Sequence, residues 1–210
     1  VHAPVKIYFA SSNPGKVAEF RALAESDAAG NSSSTTFSVE MMPGFESLSP
    51  FEENAPTFGE NALGKALYYS QLTDGIVFAD DSGLVVPALG GAPGVHSARY
   101  AGPDATSADR IKKLLQDLAS KPREKRAAYF CCVIVVVRRG LPVAVVSNRA
   151  DGEILEVPRG TGGFGYDPIF YLPELDKTFA ELMPPEKNLY SHRGRAFRCV
   201  LSFLNSVIKN

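Results

Sequence analysis

The chain of 210 residues carries 22 lysines and arginines against 23 aspartates and glutamates, a formal charge of -1. That balance excludes general attraction to nucleic acid or to an anionic membrane, so any anionic ligand must be held by a local site. No apolar run approaches the roughly 20 residues of a membrane span, and the opening Val1-His2-Ala3-Pro4 lacks a secretory pattern, so a soluble, cytoplasmic protein is expected.

The length suits a single domain over 1–210, in one or two lobes. A buried strand is predicted over 5–10, followed by a turn, Ser11-Ser12-Asn13-Pro14-Gly15-Lys16, and a helix in which Val17, Phe20 and Leu23 recur at helical spacing. Residues 25–36, rich in Ser, Ala, Gly and Asn, read as a flexible surface connection, with a second strand near 37–41. Thr57 with Glu60 has the form of a capping box, opening a helix whose apolar face is Phe58, Ala62, Ala66 and Tyr69. A strand over 76–79 then ends in Asp80-Asp81.

Thr106 with Asp109 repeats the capping pattern ahead of Ile111, Leu114, Leu115 and Leu118. The basic run 121–126 reads as a solvated loop. Residues 129–137 and 141–146 pair as a hairpin around Arg139-Gly140, and Phe197, Val200, Leu201, Leu204 and Ile208 mark a C-terminal helix. This order predicts an α/β sandwich with a mixed sheet. Cys131, Cys132 and Cys199 have neither a disulfide framework nor metal-ligand spacing and are expected to be buried thiols.

Four places invite chemistry. Asn13 before Pro14 is a natural helix start whose free N–H groups, with Lys16, Ser11 and Ser12, could cradle a phosphate; an ordinary capped helix explains the same residues. Gly160-Thr161-Gly162-Gly163-Phe164-Gly165-Tyr166-Asp167-Pro168 either lets a backbone approach a ligand, with Phe164 or Tyr166 facing a nucleobase, or forms a tight loop with aromatic plugs. Ser191 resembles an N-cap, yet His192, Arg193 and Arg195 crowd the next turn, where a helix dipole prefers acids; with Lys187 upstream, this tilts toward ligand binding. Glu52-Glu53 is either a solvated loop or, with Asp81, a magnesium site, since magnesium asks for one or two carboxylates plus water and phosphate oxygens. The Asp80-Asp81 pair itself, abutting an apolar strand, is costly unless it binds a cation or moves a proton.

Six segments in register resemble the Ham1-like inosine triphosphate pyrophosphatase family over nearly the whole chain. They are Ser11 to Lys16 with Glu19, the stretch from Glu52-Glu53 to Ala62, Ala79-Asp80-Asp81-Ser82-Gly83-Leu84, Gly90-Gly91-Ala92-Pro93-Gly94 with Ser97-Ala98-Arg99-Tyr100, Gly162 to Pro168, and Ser191-His192-Arg193-Gly194. The resemblance implies a mixed central sheet flanked by helices, in two lobes with the active site in the cleft between them. It implies hydrolysis of ITP, dITP and XTP to monophosphate and pyrophosphate, with Mg2+, in a homodimer that engages neither nucleic acid nor membrane. By motif position Asp81 is the general base and a metal ligand, Glu53 a second ligand, and Ser82 a substrate contact. Ser11, Ser12, Asn13, Pro14, Gly15 and Lys16 hold the triphosphate, while Phe164, Gly165, Tyr166, Asp167, Lys187, His192 and Arg193 surround the nucleoside. The chain departs from the family at Val85 and Pro87, where acids are common, and at Asn148, where glycine is. A nucleotide-sensing protein without turnover and a phosphatase with Asp81 as nucleophile are the competing expectations.

Overall fold

A computed structural model describes residues 3–30, 35–42, 44–122 and 125–208. It contains strands β1 (Val5–Phe9), β2 (Phe37–Met41), β3 (Ile76–Val85), β4 (Ala127–Arg138), β5 (Leu141–Ile154), β6 (Phe170–Leu172) and β7 (Lys177–Thr178). The helices are α1 (Pro14–Gly30), α2 (Phe58–Ser70), α3 (Ser107–Asp117), α4 (Pro184–Tyr190) and α5 (His192–Ile208). The seven strands form one sheet in the order β2-β1-β3-β4-β5-β6-β7. β1 runs parallel to both β2 and β3, whereas β5–β6 and β6–β7 are antiparallel, so the sheet is mixed as expected.

The chain divides into two compact units, the first comprising 1–81, 132–148 and 193–210, the second 82–131 and 149–192. In the first, α1 and α5 cover one face of the sheet. Phe20 and Leu23 of α1 and Phe197, Val200, Leu201 and Leu204 of α5 pack on Ile7, Phe9, Phe78, Ile134 and Val136. Phe9 stacks on Phe78 with ring centroids 4.8 Å apart, and Phe20 meets both rings edge-on; such pairs add about 0.5–1.5 kcal/mol each beyond the area they bury. In the second unit, Leu114 and Leu118 of α3 join Leu84, Phe130, Ile154, Phe170 and Phe179 in a separate core.

Local signals in the sequence account for most boundaries. The Thr57 hydroxyl accepts from the Glu60 N–H, and Thr106 forms a full capping box with Asp109. Four expectations need correction. The Asp pair does not end a strand: β3 continues six residues past Ala79, because Leu84 finds its own buried place in the second core. Residues 25–30 extend α1 instead of forming a loop, Ala and Glu being good helix formers, while 31–34 lie outside the described residues. In the basic run, 123–124 are also outside the described residues, and Arg126 is buried, its Nη2 donating to the Leu118 carbonyl that ends α3. Cys132 is buried, but Cys131 is half-buried and Cys199 exposed on α5. The short β6, β7 and α4 carry too few residues to show a period and were not anticipated. Among the described residues no helix is long and apolar enough to cross a membrane.

Candidate active site

In the first unit the β1–α1 turn is built as its residues suggest. The Asn13 side-chain oxygen accepts from the Lys16 N–H at 3.2 Å, the Asn13 N–H donates to the Ser11 hydroxyl, and Pro14 opens the helix. Ser12, Asn13 and Pro14 stay exposed and Ser11, Gly15 and Lys16 half-buried, so the turn presents a helix N-terminus at the surface of this unit.

The alternation of β3 sends the two aspartates to different partners. Asp80 is fully buried and meets the Lys16 ammonium at 3.0 and 2.9 Å through its two oxygens. Its Oδ2 also lies 3.5 Å from Nε of Arg193, whose Nη1 donates to Glu19 at 2.8 Å. Burial alone would push the Asp80 carboxyl up, but Lys16, Arg193 and Lys65 outweigh it and hold the group at about 2. Burial likewise opposes the Arg193 charge, and Glu19 and Asp80 overcome it, so that guanidinium is more firmly protonated than usual.

Asp81 turns toward α2, where its Oδ2 accepts from the Asn61 amide at 2.9 Å. Burial, then the neighbouring Glu53 carboxylate, push Asp81 up to about 6, against the pull of Lys16, Lys65 and Asn61. Glu53 is ion-paired with Lys65. Burial works against the Lys65 charge, yet Asp80, Glu53 and Asp81 raise its affinity for the proton. Two carboxylates close enough to repel, one of them raised toward neutrality, form a donor set that suits magnesium, which takes one or two carboxylates and completes its shell with water and phosphate oxygens. Asp81 and Glu53 are the residues that would hold it.

Asn61 and Lys65 are the site residues that sequence reasoning passed over. They stand one helical turn apart on α2, beside the small residues Ala62 and Ala66, and all four are buried. An amide and an amine at helical spacing next to two alanines on the apolar stripe were the available signal.

In the second unit the glycine-rich loop is fastened by one carboxylate. Oδ2 of Asp167 accepts from the Phe164 N–H at 2.8 Å and from Nζ of Lys187 at 2.7 Å. Gly163 adopts a left-handed φ of 69°, and a Cβ there would lie 2.0 Å from that same oxygen. Gly160, with φ of 80°, passes so close to Ala180 that a Cβ would sit 2.6 Å from its carbonyl carbon. Tyr166 is buried, its hydroxyl donating to the Ser97 carbonyl at 2.9 Å, which leaves Phe164 as the ring of the two with exposed surface. The Lys187 ammonium stands 5.0 Å from the Phe164 centroid. His192 is buried and stacks on Phe130 at 4.7 Å. Ser82 is half-buried on β3.

The structure thus joins Lys16, Asp80, Glu19 and Arg193 in one cluster and Asp81, Asn61, Glu53 and Lys65 in another, both within the first unit. Phe164, Asp167 and Lys187 come together in the second, where Gly165 lies in the same loop. In this mixed α/β fold a capped helix mouth shares a unit with paired acidic and basic side chains. The chain belongs to the Ham1 family, whose model matches residues 7–203. It is 50% identical over 191 residues to a dITP/XTP pyrophosphatase of Geobacillus kaustophilus, covering 91% of this chain and 90% of that protein. It is 45% identical over 201 residues to a dITP/XTP pyrophosphatase of Yersinia pseudotuberculosis, covering 95% and 98%. Among solved structures, a HAM1 protein from Coxiella burnetii superposes with a TM-score of 0.83 at 40% identity, covering 96% of this chain and 99% of that one. The Ham1 protein of Staphylococcus aureus gives 0.81 at 37%, covering 96% and 98%.

Proposed function

We propose that the protein is a nucleoside triphosphate pyrophosphohydrolase that converts dITP, XTP and ITP to the monophosphate and pyrophosphate, clearing deaminated purines from the nucleotide pool. The observation that carries this reading is the Asp81 carboxylate, oriented by Asn61, raised to about 6, and set beside Glu53 in the same unit as the Lys16 turn. The names of relatives at 40–50% identity point the same way.

Hydrolysis at phosphorus requires a positioned water, a base for its proton, and cations against the charge on the phosphate oxygens. Asp81 takes the proton. Lys16 and the N–H groups of the 11–16 turn bind the triphosphate, and Lys65, paired with Glu53, favours the ionised form of Asp81. Asp81 and Glu53 would hold Mg2+, which when bound would supply charge neutralisation on the phosphates. In the second unit, Phe164, with Gly165, Asp167 and Lys187 beside it, is the ring offered to the nucleobase. A donor facing the 6-position donates to the oxo group of hypoxanthine or xanthine and leaves the amino group of adenine unpaired.

The protein acts in the cytoplasm as a homodimer, without nucleic acid or membrane. In support of association, Leu141, Val143 and Val145 alternate along β5 and are exposed together, an apolar stripe a second copy would cover.

Incubation with ITP, ATP and GTP plus magnesium, with the products identified, tests the reading. Pyrophosphate with IMP supports it. Orthophosphate would make the protein a phosphatase with Asp81 as nucleophile, and tight binding without turnover a nucleotide sensor.

A further inference from the structure

Asp80 lies next to the proposed base but does none of its work. Both its oxygens face the Lys16 ammonium, and the nearer partner on its other side is Arg193. Glu19 stands one turn beyond Lys16 on α1 and grips Nη1 of Arg193. The result is a row of alternating charges, Lys16, Asp80, Arg193, Glu19, drawn from α1, β3 and α5 within one unit.

We propose that Asp80 is a positioning residue for the phosphate-binding lysine, its carboxylate clamping Lys16 and Arg193 in fixed orientation, with Glu19 bracing Arg193 from the far side. This rests on the reading of the 11–16 turn as the polyphosphate site. An ammonium has three N–H groups in a fixed fan. With one N–H donated to the Asp80 carboxylate, the rotation of the ammonium is set, and the remaining N–H groups are the ones offered to an anion. Asp80 is therefore not assigned as a metal ligand: its oxygens face the Lys16 and Arg193 cations, whereas Asp81 accepts from the Asn61 amide and has the Glu53 carboxylate as a neighbour. The cluster is neutral in sum, so loss of the Asp80 charge leaves two cations facing one carboxylate. The polyphosphate is then attracted at least as strongly, while the lysine that must meet it at the transition state has lost its direction. Binding survives and turnover suffers.

The test is Asp80→Asn, nearly isosteric, assayed with dITP and magnesium and titrated separately with inorganic tripolyphosphate. The expected result is a fall in kcat on the order of tenfold or more, with tripolyphosphate binding equal or tighter and the half-saturating magnesium concentration unchanged. Asp80→Asn combined with Lys16→Met is expected to turn over no more slowly than Lys16→Met alone, since Asp80 acts through that lysine. A raised magnesium requirement, weakened tripolyphosphate binding or additive losses would overturn the assignment. Failure of the unaltered protein to bind tripolyphosphate removes the polyphosphate site itself and the proposal with it. Should Asp80→Asn not fold, Glu19→Gln reads the same row from its other end: kcat falls with magnesium requirement unchanged, and an unaltered kcat counts against the row.

Discussion

Asp80 and Asp81 are consecutive residues of one strand whose carboxyls are driven in opposite directions, Asp80 to about 2 by Lys16 and Arg193, Asp81 to about 6 by burial and Glu53. The pleat of β3 is the cause, since it turns one side chain toward the cations of α1 and α5 and the next toward α2. One carboxylate is held permanently ionised, and its neighbour is poised to gain or lose a proton.

Asp81→Asn should abolish turnover while nucleotide binding persists. A carboxamide keeps the shape and the contact with Asn61 but cannot accept a proton, and loss of a general base costs about 10²–10⁴ in rate. Pyrophosphate release from dITP, alongside calorimetric titration with the nucleotide, measures both halves. An active Asp81→Asn protein removes Asp81 from the base role.

The pH dependence follows from the direction of the Asp81 shift. Its folded value is above the ordinary carboxylate range, so on lowering the pH through about 6 it takes up a proton that solvent-exposed carboxylates would still release. The proton competes with the cation, and the protonated group cannot act as base. The half-saturating magnesium concentration should therefore rise between pH 8 and pH 5, and kcat/KM at fixed low magnesium should fall on the acid side. A magnesium requirement flat across that range would contradict the pairing of Asp81 with the metal.

Lys65→Met should move that acid limb to higher pH. Lys65 favours the ionised form of Asp81 and pairs with Glu53, so its removal leaves the two carboxylates repelling with Lys16 as the remaining cation acting on Asp81. The pH profile of kcat/KM for the variant at the same fixed low magnesium, compared with that of the unaltered protein, measures the shift; a limb in the same place would show that Lys65 does not act on Asp81.

Gly163→Ala should damage the loop fastening and not merely the backbone. The added methyl would collide with the Asp167 oxygen that accepts from Phe164 and Lys187, at a φ side chains rarely adopt. Strain of this kind costs about 1–3 kcal/mol. A lowered melting temperature and a raised KM for dITP are expected, whereas an unchanged KM would separate this loop from nucleotide recognition.

Much of this architecture was written locally. Asn13-Pro14, Thr57 with Glu60 and Thr106 with Asp109 mark helix starts because capping depends on residues three apart, and the period of Phe197, Val200, Leu201 and Leu204 marks α5 because a helix repeats every turn. The family was legible too, since its motifs are short runs of adjacent residues. The extent of β3 was not, because Leu84 is buried among partners far away in the chain, nor were the short elements between 170 and 190, which carry too few residues to show a period.

The same division holds for the site. By itself the sequence determined that two carboxylates interrupt an apolar strand, that a capped turn with a lysine precedes α1, and that cations crowd the start of α5. Which carboxylate meets which cation was decided only by the tertiary structure. Lys16 and Asp80 are 64 residues apart, Glu19 and Arg193 174 apart. Proton affinity responds to charges within a few ångströms in space, whatever their separation along the chain.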